Sequence, residues 1–248
     1  MYRFALQYTT ESSTFVLIFY SYNSLAHSGI NCMAIQKVIL PVAGMGTRLL
    51  PATKSQPKEM LPVGYKPVVQ YVVEEMMGQG LDKFLFITGR KKRSIEDHFD
   101  RDPELEAKLR EKDNTLVDLE DYKDRALFYY ARQPQPLGNA DAVRMGREFV
   151  GDESFVVAFG DTIIYSPEEP YIISRMMDSH LNYGSSATIG VWDVPEQEVS
   201  KYGIVKPCGG EIGYDFEIED IVEKPKKGDA PSLMAVAARY IFTPDIFE

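Results

Sequence analysis

Two cysteines, three histidines and one tryptophan are all that 248 residues supply of these types. Cys32 and Cys208 are too few for a disulfide scaffold, so a reducing, cytoplasmic setting is the expectation. His27, His98 and His180 show no metal-ligand spacing and no partnered serine or cysteine, which leaves zinc catalysis and hydrolytic triads without support. Long apolar runs are missing too. The nearest, Phe15 to Tyr20, is far short of the ~20 residues that span a bilayer, and no cationic leader precedes it as a secretory signal would require. Positive charge is in deficit: 27 Lys and Arg stand against 37 Asp and Glu, a net charge of −10. A surface of that sign excludes general attraction to nucleic acid or anionic membrane. Any phosphorylated ligand must therefore be met by cations concentrated at one place.

What is present fits a soluble α/β protein. Apolar residues make up 44% and charged residues 26%, and the length suits one large domain or two small ones. Residues 1–32 run without periodicity and read as an appendage before a domain over 33–248. A cryptic targeting segment and an added hairpin are the alternatives for that stretch. From Ile35 onward short apolar runs alternate with helical stretches. Val38 to Ala43 predicts a strand buried on both faces. Val68, Val69, Val72, Val73, Met76 and Met77 predict a helix over 66–79 closed by Gly78 or Gly80. Phe84 to Thr88 and Ala126 to Ala131 predict strands, residues 140–149 a helix, and Phe155 to Phe159 a strand ending at Gly160-Asp161. Further strands are expected near 187–192, 203–206, 216–222 and 234–242. The charged stretch 92–124 reads as solvated helices with a polar connection, and Arg90-Lys91-Lys92-Arg93 as a solvated helix start. At the far end, Thr243 as cap and Pro244 at the first helical position predict a helix start. A domain seldom stops one turn into a helix, so the chain is expected to be a fragment.

The strongest chemical signal follows the first domain strand: Gly44-Met45-Gly46-Thr47-Arg48-Leu49-Leu50-Pro51-Ala52-Thr53-Lys54-Ser55-Gln56-Pro57-Lys58-Glu59-Met60-Leu61-Pro62. Two glycines let the backbone approach a ligand and aim its amides at phosphate. Arg48, Lys54 and Lys58 gather three cations there, which suits a triphosphate. A dinucleotide fingerprint would need glycine where Leu49 stands, and no Gly-Lys-Ser/Thr triplet of a P-loop occurs.

This run, with Pro51, Lys54, Pro57-Lys58-Glu59 and Pro62, resembles the signature of bacterial UTP–glucose-1-phosphate uridylyltransferases, within the sugar-1-phosphate nucleotidyltransferase family. The resemblance covers residues 33–248. It implies a three-layer α/β/α domain with a Rossmann-like, mixed and mostly parallel sheet. It implies transfer of a uridylyl group from UTP to α-D-glucose 1-phosphate, giving UDP-glucose and pyrophosphate, in a homo-oligomeric enzyme that uses Mg²⁺. Ala43, Gly44, Gly46, Thr47, Arg48, Lys54, Lys58, Glu59, Gln133 and Gly138 are implied to bind the nucleotide. Asp161 is the implied metal carboxylate, and Gly203, Glu223 and Lys224 the implied sugar-phosphate group. Arg48, Lys58 and Lys224 are implied to act in catalysis.

The residue chemistry agrees with those roles. A glutamine amide offers both donor and acceptor to a pyrimidine. An aspartate after a strand suits Mg²⁺, which takes one or two carboxylates plus substrate phosphates. A Glu-Lys pair can hold sugar hydroxyls and phosphate together. A sugar phosphate brings its own anionic nucleophile, so positioning and charge screening are the expected means of catalysis. The family usually has Leu-Gly-His-Ala where this chain has Asn139-Ala140-Asp141-Ala142. That departure either alters the nucleobase pocket or caps the next helix. A thymidylyl, cytidylyl or guanylyl transferase and a non-catalytic nucleotide sensor are the alternatives. The resemblance also implies a second metal carboxylate beyond Glu248. The chain is therefore expected to bind UTP, turn over slowly and aggregate readily.

Overall fold

The computed structural model describes residues 16–20, 35–111, 122–165, 171–209 and 213–248. Its strands are β1 Val16–Tyr20, β2 Lys37–Pro41, β3 Pro62–Val63, β4 Lys66–Pro67, β5 Lys83–Thr88, β6 Leu127–Arg132, β7 Phe155–Ala158, β8 Ala187–Asp193, β9 Gly203–Pro207, β10 Asp215–Glu223 and β11 Met234–Phe242. Its helices are α1 Val68–Gly78, α2 Arg93–Phe99, α3 Pro103–Glu111, α4 Tyr122–Arg125, α5 Asn139–Arg144, α6 Arg147–Val150 and α7 Ile172–Tyr183. Every strand expected between 35 and 242 is present.

One nine-stranded mixed sheet has the order β6-β5-β2-β7-β11-β8-β1-β10-β9. The four strands β6, β5, β2 and β7 are parallel throughout, and β11 then enters antiparallel against both β7 and β8. Alternation along the parallel strands sorts side chains onto two faces. Val38, Leu40, Phe84, Phe86, Val156 and Ala158 meet Val69, Val72, Val73 and Met76 of α1, Ile95 and Phe99 of α2, and Ile173 and Met176 of α7. Ile39, Leu85, Ile87, Phe155 and Val157 face the other way, against Ala142 and Val150 of α5 and α6. Strands covered on both sides explain the unbroken apolar runs, and the three layers follow.

Three expectations need correction. The helix over 140–149 is two short helices, α5 and α6, parted at Met145-Gly146. Gly146 presses on β2 so closely that an added Cβ would lie 2.3 Å from Ile39 Cδ1. Thr243 does precede a short 3-10 turn over Pro244–Phe247, but its hydroxyl donates to the Ser186 carbonyl at 3.3 Å and caps nothing. The start of α2 is not solvated throughout, because Lys92 is buried. Within the stretch read as an appendage, β1 lies in the sheet between β8 and β10, antiparallel to the first and parallel to the second. Cys32 and His27 lie outside the described residues, and Cys208 carries no disulfide. Among the described residues, no helix is long and apolar enough to cross a membrane.

His180 of α7 is buried, with Nδ1 3.0 Å from Thr188 Oγ1 and Nε2 3.2 Å from Ser154 Oγ. Burial pushes its pKa down to about 4. An unfolded imidazole titrates near 6.5, so on acidification the unfolded chain takes the proton first. The contribution is complete above pH ~6.5 and is lost as pH falls toward 4, by about 2–3 kcal/mol at pH ~4.5. Urea unfolding at neutral pH and at pH ~4.5 checks this. The loss of stability is expected to shrink by that amount in His180→Gln; parallel losses in both proteins would sink the assignment.

Candidate active site

The carboxyl ends of β2, β5, β6 and β7 open onto one edge of the sheet. From β2 the chain connects to β5 on one side, while β7 lies on the other. Crevices outside strand ends at such a reversal of order are where open α/β sheets bind ligands. Here the loop from Ala43 to Leu61 unfolds as three short 3-10 turns, Thr47–Leu49, Ala52–Lys54 and Lys58–Met60. Pro51 and Pro57, standing between them, keep them from merging into one helix. Gly46 adopts φ 66°, and its carbonyl accepts from the Leu49 amide at 3.0 Å and from Thr53 Oγ1 at 2.7 Å. A Cβ on Gly44 would lie 3.7 Å from Lys58 Nζ, so this glycine lets the ammonium lie against the backbone. Thr47, Arg48 and Lys54 are exposed, and neither cation has a carboxylate partner among the described residues.

Behind the loop runs a line of alternating charge. Lys58 Nζ lies 2.5 Å from Asp161 Oδ2 and 4.0 Å from Glu59 Oε1, and Glu59 Oε2 accepts from Lys92 Nζ at 2.7 Å. Glu59 is 1% and Lys92 5% exposed. Burial pushes the Glu59 carboxyl up and the Lys92 ammonium down, and each is opposed by the charge of the other. Lys92 reaches this place because it shares a face with Ile95 and Phe99, both buried. Gly89 allows the tight passage into α2: a Cβ there would sit 3.1 Å from the Ala43 carbonyl oxygen. Gly160 serves Asp161 in the same way. A Cβ on it would lie 2.7 Å from Val42 Cγ1 and 3.5 Å from Glu59 Cγ, so glycine sets the aspartate turn directly over the end of β2.

Gln133 follows β6, with its amide N–H on the Thr88 carbonyl at 2.9 Å and its side chain buried. Its Nε2 donates to Asp141 Oδ2 at 2.8 Å and to the Gly138 carbonyl at 3.3 Å. Gly138, at φ 101°, turns the chain into α5 in a conformation that favours glycine. Asp141, at the family departure, therefore does more than stand in the first turn of α5.

The sugar-phosphate candidates gather on β9 and β10. Gly203 pairs with Glu223 in register, and a Cβ on it would lie 3.3 Å from Glu223 Oε2. Lys224 has φ 47°, donates its backbone N–H to the Tyr202 carbonyl at 3.0 Å and holds Glu223 Oε1 at 2.6 Å. Both charged side chains are exposed. Tyr240 links this group to the aspartate turn. Its ring lies 5.7 Å from that of Phe159, two residues before Asp161, and its phenol is pushed up to about 12 by burial, with the Glu223 charge adding to the shift.

Sequence reasoning did not find Arg239. It is fully buried on β11, grips Glu75 of α1 through Nε at 3.2 Å and Nη2 at 2.6 Å, and donates to the Thr162 carbonyl at 2.8 Å. Ala238, at φ 57°, forms the bulge that turns this arginine inward. An arginine in an otherwise apolar strand run, Met234 to Phe242, was the available signal.

Among the described residues no three His, Cys, Asp or Glu side chains converge as a metal cage. Asp161 is a hard oxygen donor with its side chain one-third exposed. That fits a magnesium ion held by one or two carboxylates plus ligand phosphates, and not a dedicated protein cage.

Residues 37–248 match the Nucleotidyl transferase family. The chain is 47% identical over 215 residues to UTP–glucose-1-phosphate uridylyltransferase YngB of Bacillus subtilis, covering 86% of this chain and 71% of that protein. It is 45% identical over 216 residues to the UTP–glucose-1-phosphate uridylyltransferase of Staphylococcus haemolyticus, with 86% and 74% covered. Among solved structures, a UDP-glucose pyrophosphorylase complexed with UDP-glucose superposes with TM-score 0.76 at 41% identity, over 86% of this chain and 78% of that one. The UTP-bound enzyme from Acinetobacter baumannii gives TM-score 0.77 at 37% identity, over 86% and 76%. With its parallel strand set, its glycine loop and these relatives, the chain belongs to the nucleotidyl transferase family.

Proposed function

We propose that the protein transfers a uridylyl group from UTP to α-D-glucose 1-phosphate. A phosphate oxygen of the sugar phosphate attacks the α-phosphorus of UTP, the bond from that phosphorus to the bridging oxygen of the β-phosphate breaks, and pyrophosphate leaves. The observation that carries the reading is the meeting of Lys58 and Asp161 at 2.5 Å, beside a glycine loop carrying exposed Arg48 and Lys54. The names of the relatives support it.

The nucleophile is already anionic, so no protein base is needed; the work is to bring two anions together and neutralise charge as it moves. The Gly44–Thr47 backbone, with Ala43 at its start, receives the triphosphate, while Arg48, Lys54 and Lys58 neutralise it and then the departing pyrophosphate. Glu59, held by Lys92, braces Lys58. Gln133 and Gly138 face the base. Gly203 and Glu223 receive the hexose, and Lys224 holds its phosphate. Asp161 would hold Mg²⁺, which when bound supplies positive charge to the nucleotide phosphates. The reading includes a cytoplasmic setting, where nucleoside triphosphates are made, and assembly into a homo-oligomer, which sedimentation reads directly.

Pyrophosphate release that requires both UTP and glucose 1-phosphate tests the reading; binding of UTP without turnover would favour a sensor. The acceptor oxygen of Gln133 suits the N3–H of thymine as well as uracil, so dTTP is the nucleotide to set against UTP, and preference for dTTP would overturn the uridylyl assignment. Lys224→Ala is expected to raise the KM for glucose 1-phosphate roughly 10–100-fold, the worth of a charge-assisted hydrogen bond, and to lower kcat as well. Because Lys224 is exposed and its ion pair among the described residues is with a neighbour, the fold should survive. Unchanged KM and kcat would remove it from the site.

A further inference from the structure

We infer that Asp141 is a specificity-determining positioning residue, which locks the Gln133 amide so that only its oxygen is offered to a nucleobase. The inference rests on the reading of Gln133 as the base-facing residue and goes beyond it.

The amide nitrogen of Gln133 has two hydrogens, and both are spent: one on Asp141 Oδ2 at 2.8 Å, the other toward the Gly138 carbonyl at 3.3 Å. Both partners are pure acceptors, so a flipped amide would set its oxygen against a carboxylate and a carbonyl at once. The orientation is thereby decided by chemistry. The second oxygen of Asp141 accepts from Arg144 Nη2 at 3.0 Å, which fixes the carboxylate in turn. The Gln133 and Arg144 bonds together hold the Asp141 carboxyl below the usual carboxylate range, so it remains a pure acceptor through neutral pH. What is left at the base-facing end is Gln133 Oε1, which has no hydrogen bond among the described residues.

An acceptor in that position meets the N3–H of uracil or thymine and is repelled by the N3 lone pair of cytosine. A freely rotating glutamine could serve both bases; a locked one cannot. Asp141 therefore gives this chain its means of reading an N3–H pyrimidine and rejecting cytosine.

The test measures dissociation constants for UTP and CTP, by titration calorimetry in Mg²⁺, for the unaltered chain, Asp141→Asn, Asp141→Ala and Gln133→Ala. Asparagine keeps the shape of Asp141 but can turn a donor toward Gln133, which frees the amide to flip. The ratio of CTP to UTP affinity is expected to rise roughly tenfold in Asp141→Asn and less steeply in Asp141→Ala. Equal loss for both nucleotides, or a ratio unchanged in both Asp141 variants while Gln133→Ala weakens UTP, overturns the inference and leaves the Gln133 reading standing. Unweakened UTP binding in Gln133→Ala overturns the reading beneath it.

Discussion

Replacing Asp161 with asparagine is expected to lower kcat for pyrophosphate release about 10²–10³-fold, the scale on which a fixed electrostatic contact to the transition state acts. Thermal stability should hardly change. The side chain lies on a turn, is one-third exposed and has Lys58 as its ion-pair partner, and exposed pairs of that kind contribute little. Asparagine keeps the size and one oxygen but removes the charge that a divalent cation needs. The dependence on Mg²⁺ should therefore shift to higher concentration along with the fall in kcat. Lys58→Met gives the opposite sign in one of the two readouts. Its ammonium, 2.5 Å from Asp161, competes with a cation for that carboxylate. Removing it should lower kcat through lost triphosphate contact while moving the Mg²⁺ midpoint to lower concentration. The measurement is pyrophosphate release against Mg²⁺ at saturating UTP and glucose 1-phosphate. An unshifted midpoint with undiminished kcat in Asp161→Asn would place the metal elsewhere.

Much of this arrangement is legible in the sequence, for reasons that differ by residue. The spacing of Val68, Val69, Val72, Val73 and Met76 could only bury one helical face, and the apolar run from Val38 to Leu40 could only be a strand covered on both sides. Gly44, Gly46, Arg48, Lys54 and Lys58 lie on one loop after β2, so assigning them to one end of the sheet needed no tertiary contact. What stayed hidden depends on distant partners. Lys92 looks solvated inside Arg90-Lys91-Lys92-Arg93 until Glu59, 33 residues earlier, is placed against it. Arg239 makes sense only with Glu75, 164 residues away. Gly146 parts two helices because β2 crosses beneath it. Asp141 stands eight residues from Gln133, yet its bond depends on the turn at Gly138 that folds one back upon the other. Local periodicity carries elements; it does not carry which buried charge answers which.

The second large effect follows from one such pair. Lys92→Met is expected to destabilise the fold by about 3–5 kcal/mol, the cost of leaving one partner of a buried ion pair alone. Methionine fills a similar volume, so packing contributes little to the loss. The carboxylate it strands, Glu59, is 1% exposed, and burial already pushes its pKa up. Without Lys92 it rises further above its unfolded value, so the folded state binds the proton more tightly. The variant is then most stable at low pH and loses stability as pH climbs through the raised pKa, which makes the deficit smaller near pH 5 than near pH 8. Activity should fall beyond what unfolding explains. Lys58 Nζ is 4.0 Å from Glu59, and a carboxylate deprived of Lys92 draws that ammonium inward, away from Asp161 and the phosphates. Removing both charges separates the two consequences. Glu59→Leu with Lys92→Met should recover most of the stability, since an apolar pair of similar volume carries no desolvation penalty, yet kcat should stay low because Lys58 keeps Asp161 but loses the carboxylate behind it. Chemical unfolding at pH ~5 and ~8, beside steady-state rates for the single and double variants, reads all three terms. A deficit independent of pH, or full activity in the double variant, would show that the pair neither carries the buried charge described nor sets the position of Lys58.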